Sequence, residues 1–371
     1  MQELEVSGTQ PLVATDPERA YGLPPWYYTD GGMAQRERER IFRRTWQWVC
    51  HAGELDGPGD YLTARVADQD IIVIRGGDLV LRAFHNVCPH RAHELLKGRG
   101  RTEVIACPHH GWSLHADGRP RSARGAGRVA DLDHAAFGLK AVRLEVFHAL
   151  VFVNLDPDAT PLAVAAHKLA AEIEEWVPDM DRLVHAHRLT FSIAANWKNV
   201  IDNFLECYHC PTAHPAFVEL IDMRRYKVTT HDIHSSHMSF ARAGSNSAYD
   251  IAGADVTAHA VWWLWPNLCL LRYPGSGNLM VLNVLPDGVE RTFETYDFYF
   301  LNPTPDAQQR EAIRYIEDVL QPEDIAIVES VQRGQHSLGA RPSRFMVDRN
   351  RSYWSEHALH HFHSLLSQAL A

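Results

Sequence analysis

A basic excess is what this chain most plainly lacks. Its 36 Lys and Arg stand against 46 Asp and Glu, a formal net charge of -10. Nucleic-acid binding leaves a basic patch or stripe, and none is written here. The one short cationic cluster, Arg36-Glu37-Arg38-Glu39-Arg40, alternates with acids and reads as the solvated face of a helix. Cysteine is scarce, six in 371 residues, which excludes a secreted disulfide scaffold. No run approaches the ~18 apolar residues of a membrane-spanning helix. The opening Met1-Gln2-Glu3-Leu4-Glu5-Val6 has no basic region ahead of an apolar stretch. Internal repeats and low-complexity tracts are missing as well. The expectation is a cytoplasmic protein without a membrane or nucleic-acid partner, whose thiols stay reduced and available to metal.

What the chain has in plenty is histidine, 23 residues, most of which cannot be ligands. Its length suits about two domains. A helix is expected from about Met33 to Trp46, after an irregular Pro-containing start. From about 50 to 155 the texture is short β-type runs broken by Gly, Pro and Asp. Ile71–Ile74 and Leu79–Phe84 flank Arg75-Gly76-Gly77-Asp78 and read as a hairpin. Farther on, Leu279–Leu285 and Arg291–Phe300 flank Pro286-Asp287-Gly288, whose turn chemistry marks a second hairpin. Val164–Trp176, Gln308–Leu320 and Ser355–Leu370 read as helices. The fold class is α+β. An antiparallel β domain (46–158) precedes an α+β domain (159–371), and an N-terminal segment with a helix (1–45) packs on the latter.

Two motifs carry chemistry. Cys88-Pro89-His90 and Cys107-Pro108-His109-His110 form a C-x-H and a C-x-x-H separated by sixteen residues. Two thiolates and two imidazoles suit a [2Fe–2S] cluster in which histidines replace cysteines on one iron. A Cys₂His₂ zinc site is the competing reading, but such sites place two cysteines together and then two histidines. Spacing assigns ligation to His110 and leaves His109 as a bystander.

The second motif lies in Asn203-Phe204-Leu205-Glu206-Cys207-Tyr208-His209-Cys210-Pro211-Thr212-Ala213-His214. Histidines five apart do not share a helical face, and Pro211 disfavours helical geometry at Cys210, so a turn is expected to bring His214 back beside His209. Two imidazoles and one carboxylate make the facial set of non-haem Fe(II) oxygenases. Asp202 and Glu206 are the nearby acids. Glu206, three residues before His209, suits the free ring N–H rather than the metal.

Together, Cys88-Pro89-His90-Arg91, Cys107-Pro108-His109-His110-Gly111-Trp112 and the acid-x-x-His-x₄-His segment resemble the Rieske non-haem iron oxygenases. Ala92 departs from the glycine common there. The resemblance implies a Rieske [2Fe–2S] cluster at Cys88, His90, Cys107 and His110, and a curved antiparallel sheet with covering helices in the second domain. It implies a mononuclear Fe(II) at His209 and His214, with a downstream Asp as third ligand. Asp324 is the assigned residue and Glu323 its rival one position away. It casts Glu206 as the bridge for electrons between subunits of a homotrimer. The resemblance also implies dioxygen as co-substrate, with NAD(P)H acting through a separate flavin and ferredoxin-type reductase. Glu206 and the stretch Pro322-Glu323-Asp324 to Gly334 look like the quaternary-ammonium branch, which includes carnitine monooxygenase and betaine N-demethylases. The leading expectation is N-demethylation of a proline-betaine-like substrate with release of formaldehyde. Carnitine C–N cleavage to trimethylamine is the alternative, and a plain Rieske electron carrier is the reading from another class. Cation–π recognition would need aromatic faces, for which Phe204, Trp263, Trp265 and Tyr296 are candidates, with Arg272 as partner for a substrate carboxylate. Cys207 and Cys210 are expected as packing thiols. His231, His234 and His237 are expected at the surface or in a polar core, and His357, His360, His361 and His363 on a solvated helix face.

Overall fold

The computed structural model describes residues 12–371; the first eleven residues of the expected N-terminal segment lie outside the described residues. The chain divides into two compact units, Phe42–Val164 and a second made of 12–41 with Ala165–Ala371.

The first unit is built from strands β1 (Gln47–His51), β2 (Asp60–Val66), β3 (Gln69–Arg75), β4 (Leu81–His85), β5 (Arg99–Arg101), β6 (Val104–Ala106), β7 (Ser113–His115), β8 (Pro120–Ser122), β9 (Ala141–Phe147) and β10 (Leu150–Asn154). A seven-stranded antiparallel sheet runs β1-β10-β9-β4-β3-β2-β5, and a small sheet runs β6-β7-β8. The run Ile71-Ile72-Val73-Ile74 is wholly buried because β3 has a core on each face. Ile71 and Val73 join Leu62, Val66 and Val151, whereas Ile72 and Ile74 join Phe84, Ile105, Leu114 and the two motif cysteines. Side-chain alternation along one strand therefore anchors both cysteines in a core.

The second unit contains β11 (Val184–Ile193), β12 (Lys227–Thr230), β13 (His234–Phe240), β14 (Ala258–Leu264), β15 (Leu268–Arg272), β16 (Asn278–Pro286) and β17 (Thr292–Phe300), an antiparallel sheet ordered β11-β17-β16-β15-β14-β13-β12. The expected hairpin is β16–β17; Gly288 takes a positive φ of 108° in its turn, where Asp287 N–H donates to Arg291 O. Among the described residues the α-helices are α1 (Gly31–Glu37), α2 (Leu162–Ala165), α3 (His167–Trp176), α4 (Trp197–Phe204), α5 (Cys210–Ala213), α6 (Pro215–Leu220), α7 (Ala307–Tyr315), α8 (Gln321–Gln335) and α9 (His357–Leu370). Among the described residues, no helix is long and apolar enough to cross a membrane.

Several elements differ from expectation for local reasons. The first helix stops short of Trp46: α1 passes into a π turn, Arg38–Phe42, and Gln47 already begins a strand. Trp48 and Val49 suit a pleated, half-buried surface better than a helix end. A second π turn, Ile316–Leu320, joins α7 to α8 without a break. Pro322 lacks the N–H that an α-helical bond would use, and the wider turn ahead of it accommodates that loss.

The alternating-charge cluster is not simply a solvated face, because Glu37 is buried. Its carboxylate accepts from Trp197 Nε1 at 2.8 Å and pairs with Lys198 Nζ at 2.5 Å, and Lys198 is itself fully buried. Burial pushes the lysine pKa down while Glu37 holds it up. The α9 histidines are not a solvated face either. His363 is buried, its Nε2 is 2.9 Å from Asp202 Oδ1, and the Tyr28 hydroxyl donates to Asp202 Oδ2 at 2.6 Å. Asp202 thus faces Tyr28 and α9. Removing one partner of a buried pair strands the other charge. Lys198→Met should therefore destabilise the protein by about 3–5 kcal/mol in denaturant melts, and Glu37→Leu/Lys198→Met should recover much of that loss. A single variant as stable as the parent would refute this reading.

Candidate metal centres

In the first unit, the two Cys/His segments form matching turns. Ala92 N–H donates to Cys88 O at 2.9 Å, and Gly111 N–H donates to Cys107 O at 3.0 Å. Ala92 adopts φ +53° and Gly111 φ +73°. The alanine thus occupies the left-handed position that a glycine takes without strain. Asn86 steadies the first loop: its side chain accepts from Leu95 and Leu96 N–H at 3.0 Å and donates to Leu96 O. Cys88 and Cys107 are buried together, and burial followed by the neighbouring Cys107 thiol pushes the Cys88 thiol pKa up. His90 is half-buried and His110 exposed, with ring centroids 4.7 Å apart; Trp112 stacks on His90 at 4.8 Å. His109 lies against His110 at 3.8 Å. Two sulfur donors inside and two imidazoles toward the surface fit a cluster whose irons have unlike ligands.

In the second unit, α4 begins at Asn196, whose side chain accepts from Lys198 N–H at 3.0 Å. The helix ends at Leu205. Glu206 lies beyond it, and its carboxylate accepts from the backbone N–H groups of Tyr208 and His209. That turn starts the one-turn helix α5, so Cys210 is helical despite Pro211, which sits at the tolerated second position. The chain bends instead at His214, φ -124° and ψ 66°, before α6. Cys207 and Cys210 are joined by a disulfide, where packing thiols were expected.

His209 Nε2 and His214 Nε2 stand 3.1 Å apart, and Asp324 Oδ1 lies 3.0 Å from His214 Nε2 and 3.6 Å from His209 Nε2. The other ring nitrogens are held by carboxylates: His209 Nδ1 by Glu206 at 2.5 Å, His214 Nδ1 by Glu323 at 2.7 Å. Adjacent acids on α8 thus do different jobs, since neighbouring helical residues point about 100° apart. Asp324 faces the convergent nitrogens and Glu323 the rear of one ring. Asn203 of α4 donates to Asp324 Oδ1 at 2.7 Å.

Burial alone would lower the pKa of His209. Hydrogen bonds to Asp324 and Glu206, and their charges, instead push it up to about 10. Burial would raise Asp324, yet the two imidazoles bring it down to about 2. Three donors converge in a field that favours positive charge, and the donor set fits a divalent iron.

A cavity lined by Phe204, Phe217, Tyr226, His259, Leu271 and Tyr273 opens beside these donors. Phe204 is the one sequence candidate for substrate contact on this wall. Tyr296 sits in an adjoining cavity, its hydroxyl donating to Gln321 Oε1 at 2.6 Å. Trp263 and Trp265 lie outside both, packed on each other and on Phe362 of α9. Arg272 is taken by Asp179 at 2.6 Å and is buried, so it is not free to hold a carboxylate. Phe217, Tyr226, His259 and Tyr273 carry no local motif, and no signal in the sequence singled them out.

Residues 45–133 match the Rieske [2Fe-2S] domain and residues 180–371 the ring hydroxylating alpha subunit catalytic domain. The carnitine monooxygenase oxygenase subunit of Escherichia coli K12 is 40% identical over 355 residues, 95% of each chain. The chloroplastic choline monooxygenase of Spinacia oleracea is 29% identical, covering 95% of this chain and 79% of that protein. A solved quaternary ammonium Rieske monooxygenase in complex with L-carnitine superposes with a TM-score of 0.86 at 35% identity, covering 96% of this chain and 97% of the other.

The donor geometry separates the two α8 acids. Asp324→Ala should remove mononuclear iron while the visible spectrum of the cluster stays intact. Glu323→Gln should keep the iron but weaken its retention by about 10–100-fold against a chelator. Iron loss in the Glu323 variant with full retention in the Asp324 variant would exchange their roles.

Proposed function

This chain belongs to the Rieske-domain oxygenases of the ring-hydroxylating alpha-subunit type, and from that membership we propose that it oxidises a small carnitine-like quaternary ammonium compound. It is a Rieske-type monooxygenase that uses a [2Fe–2S] cluster and a mononuclear iron. In the proposed assignment Cys88, His90, Cys107 and His110 hold the cluster, and His209, His214 and Asp324 hold the single iron. When bound, the two centres supply electron transfer and dioxygen activation, with reducing equivalents drawn from NAD(P)H through a separate flavin and ferredoxin-type reductase.

The remaining work falls to the protein. Glu206 and Glu323 retain the Nδ1 protons of His209 and His214, so both Nε2 lone pairs point the same way. Phe204, Phe217, Tyr226 and Tyr273 give the cavity the aromatic faces that attract an ammonium lacking any N–H. The same apolar wall keeps water from the reacting carbon. A homotrimer in which Glu206 relays electrons from a neighbouring cluster is part of this proposal.

The observation that carries the substrate class is 40% identity along 95% of the chain to a carnitine monooxygenase oxygenase subunit. It favours C–N cleavage over the N-demethylation of a proline-betaine-like compound. Oxidation at the chain carbon bonded to nitrogen releases trimethylamine, whereas oxidation at an N-methyl carbon releases formaldehyde.

With a surrogate reductase, NADH and air, L-carnitine or γ-butyrobetaine should yield trimethylamine in step with oxygen consumed. Formaldehyde without trimethylamine, from these or from proline betaine, would reverse the assignment. Glu206→Gln should keep both iron centres and a reducible cluster, yet slow single-turnover product formation by about 10–100-fold. Loss of the mononuclear iron in that variant would make Glu206 a ligand instead.

A further inference from the structure

On the seven-stranded sheet of the second unit there is another group of two histidines and one carboxylate, outside the catalytic cavity. We infer that Glu172, His231 and His234 form a separate metal site for Zn²⁺ or a chemically similar divalent transition ion, stapling α3 to the β12–β13 hairpin. Glu172 projects from α3, His231 lies in the turn after β12, and His234 opens β13. One ligand atom from each lies within 4.8 Å of the other two. Glu172 Oε1 is 3.1 Å from His231 Nε2, and Oε2 is 3.5 Å from His234 Nε2. The two rings stack at 4.4 Å, which turns both Nε2 atoms toward the same carboxylate.

His234 is 1% exposed, and its Nε2, 3.5 Å from Glu172 Oε2, makes no close hydrogen bond. A buried ring nitrogen so loosely satisfied calls for an explanation. A cation beside the carboxylate supplies one. The carboxylate is also held as metal-bound carboxylates are, from behind: Trp262 Nε1 donates to Oε2 at 2.8 Å and Ser236 Oγ to Oε1 at 3.3 Å. His231 N–H donates to His234 O at 2.8 Å, which fixes the turn that presents both rings. Lys168, a cation on the same helix, is paired with Asp232 at 3.6 Å.

Alternation along β14 separates the two sites. Val261 lines the iron cavity, so Trp262 and the group around Glu172 belong to the opposite face of the sheet. Two imidazoles and a carboxylate leave a fourth tetrahedral position for water, and half-buried His231 leaves that side open.

The test uses the iron-loaded holoenzyme, treated with a mild chelator that spares both iron centres, then equilibrated with Zn²⁺ and desalted. The expected result is about one retained Zn²⁺ per chain with unchanged iron, and a Zn²⁺-dependent rise in melting temperature of a few degrees. Glu172→Gln keeps the shape and the Trp262 hydrogen bond, and it should lose both the retained zinc and the thermal shift. Should that variant fold poorly, His231→Asn, at the more exposed ligand, is expected to do the same. No retained zinc in the parent, or equal retention in parent and folded variants, would overturn the inference. Zinc gained only as iron is lost would place it at the catalytic site and overturn it too.

Discussion

The pairing of α4 with α8 is the constraint on which the catalytic centre depends. Asn196, Asn199 and Asn203 recur along one side of α4. Gln332 accepts from Asn196 N–H and from the Asn199 amide, Gln335 and Asn199 bond each other, and Asn203 donates to Asp324. These amides are buried or half-buried, so sliding one helix along the other would leave several without partners, each at a cost of about 1–3 kcal/mol. The register of two helices over a hundred residues apart is thereby locked. Asp324 meets His209 and His214 because Gln332 and Gln335, farther along the same helix, meet Asn199.

Electrostatics follow the same economy. Asp324 is held well below the ordinary carboxylate range by its two imidazoles, while Glu294 and Glu356 move the opposite way. Burial, then the charge of Asp324, raises Glu294 to about 8; burial, with Glu206 and Asp202 adding, raises Glu356 to about 7. At pH 7 Asp324 therefore keeps its charge, whereas Glu294 is mostly protonated and Glu356 about half so. A site meant for a cation gains from that contrast.

The β unit solves a different problem, holding two sulfurs inside and two imidazoles outside. The doubly buried strand β3 supplies the core into which both cysteines fit. The tight turns after them leave the histidines on the solvent side, where electrons must arrive. Ala92 accepts a left-handed conformation in one turn, and the regular bonding of both turns shows that the geometry outweighs the strain, about 1–2 kcal/mol.

Much of this was legible in the residues themselves. The Cys-Pro-His and Cys-Pro-His-His spacings, the His209/His214 pair with Glu206 three residues ahead, and both hairpins follow from local chemistry, because turn residues and ligand pairs act over a few positions. The buried role of Glu37 was hidden, since an alternating charge run looks the same whether or not one acid finds Lys198 some 160 residues away. The aromatic wall was hidden for a related reason. Trp263 and Trp265 advertise themselves in sequence but pack on α9, while Phe217, Tyr226 and Tyr273 come from separate elements that only the sheet and helices bring to one cavity. The division of labour between Glu323 and Asp324 was open too, because adjacent acids differ only in the direction that the helix gives them. The sequence by itself determined which donors exist and how near neighbours pair. Tertiary structure decided which distant carboxylate and which rings complete the site, because those choices depend on helix register and strand alternation, which short-range chemistry does not encode.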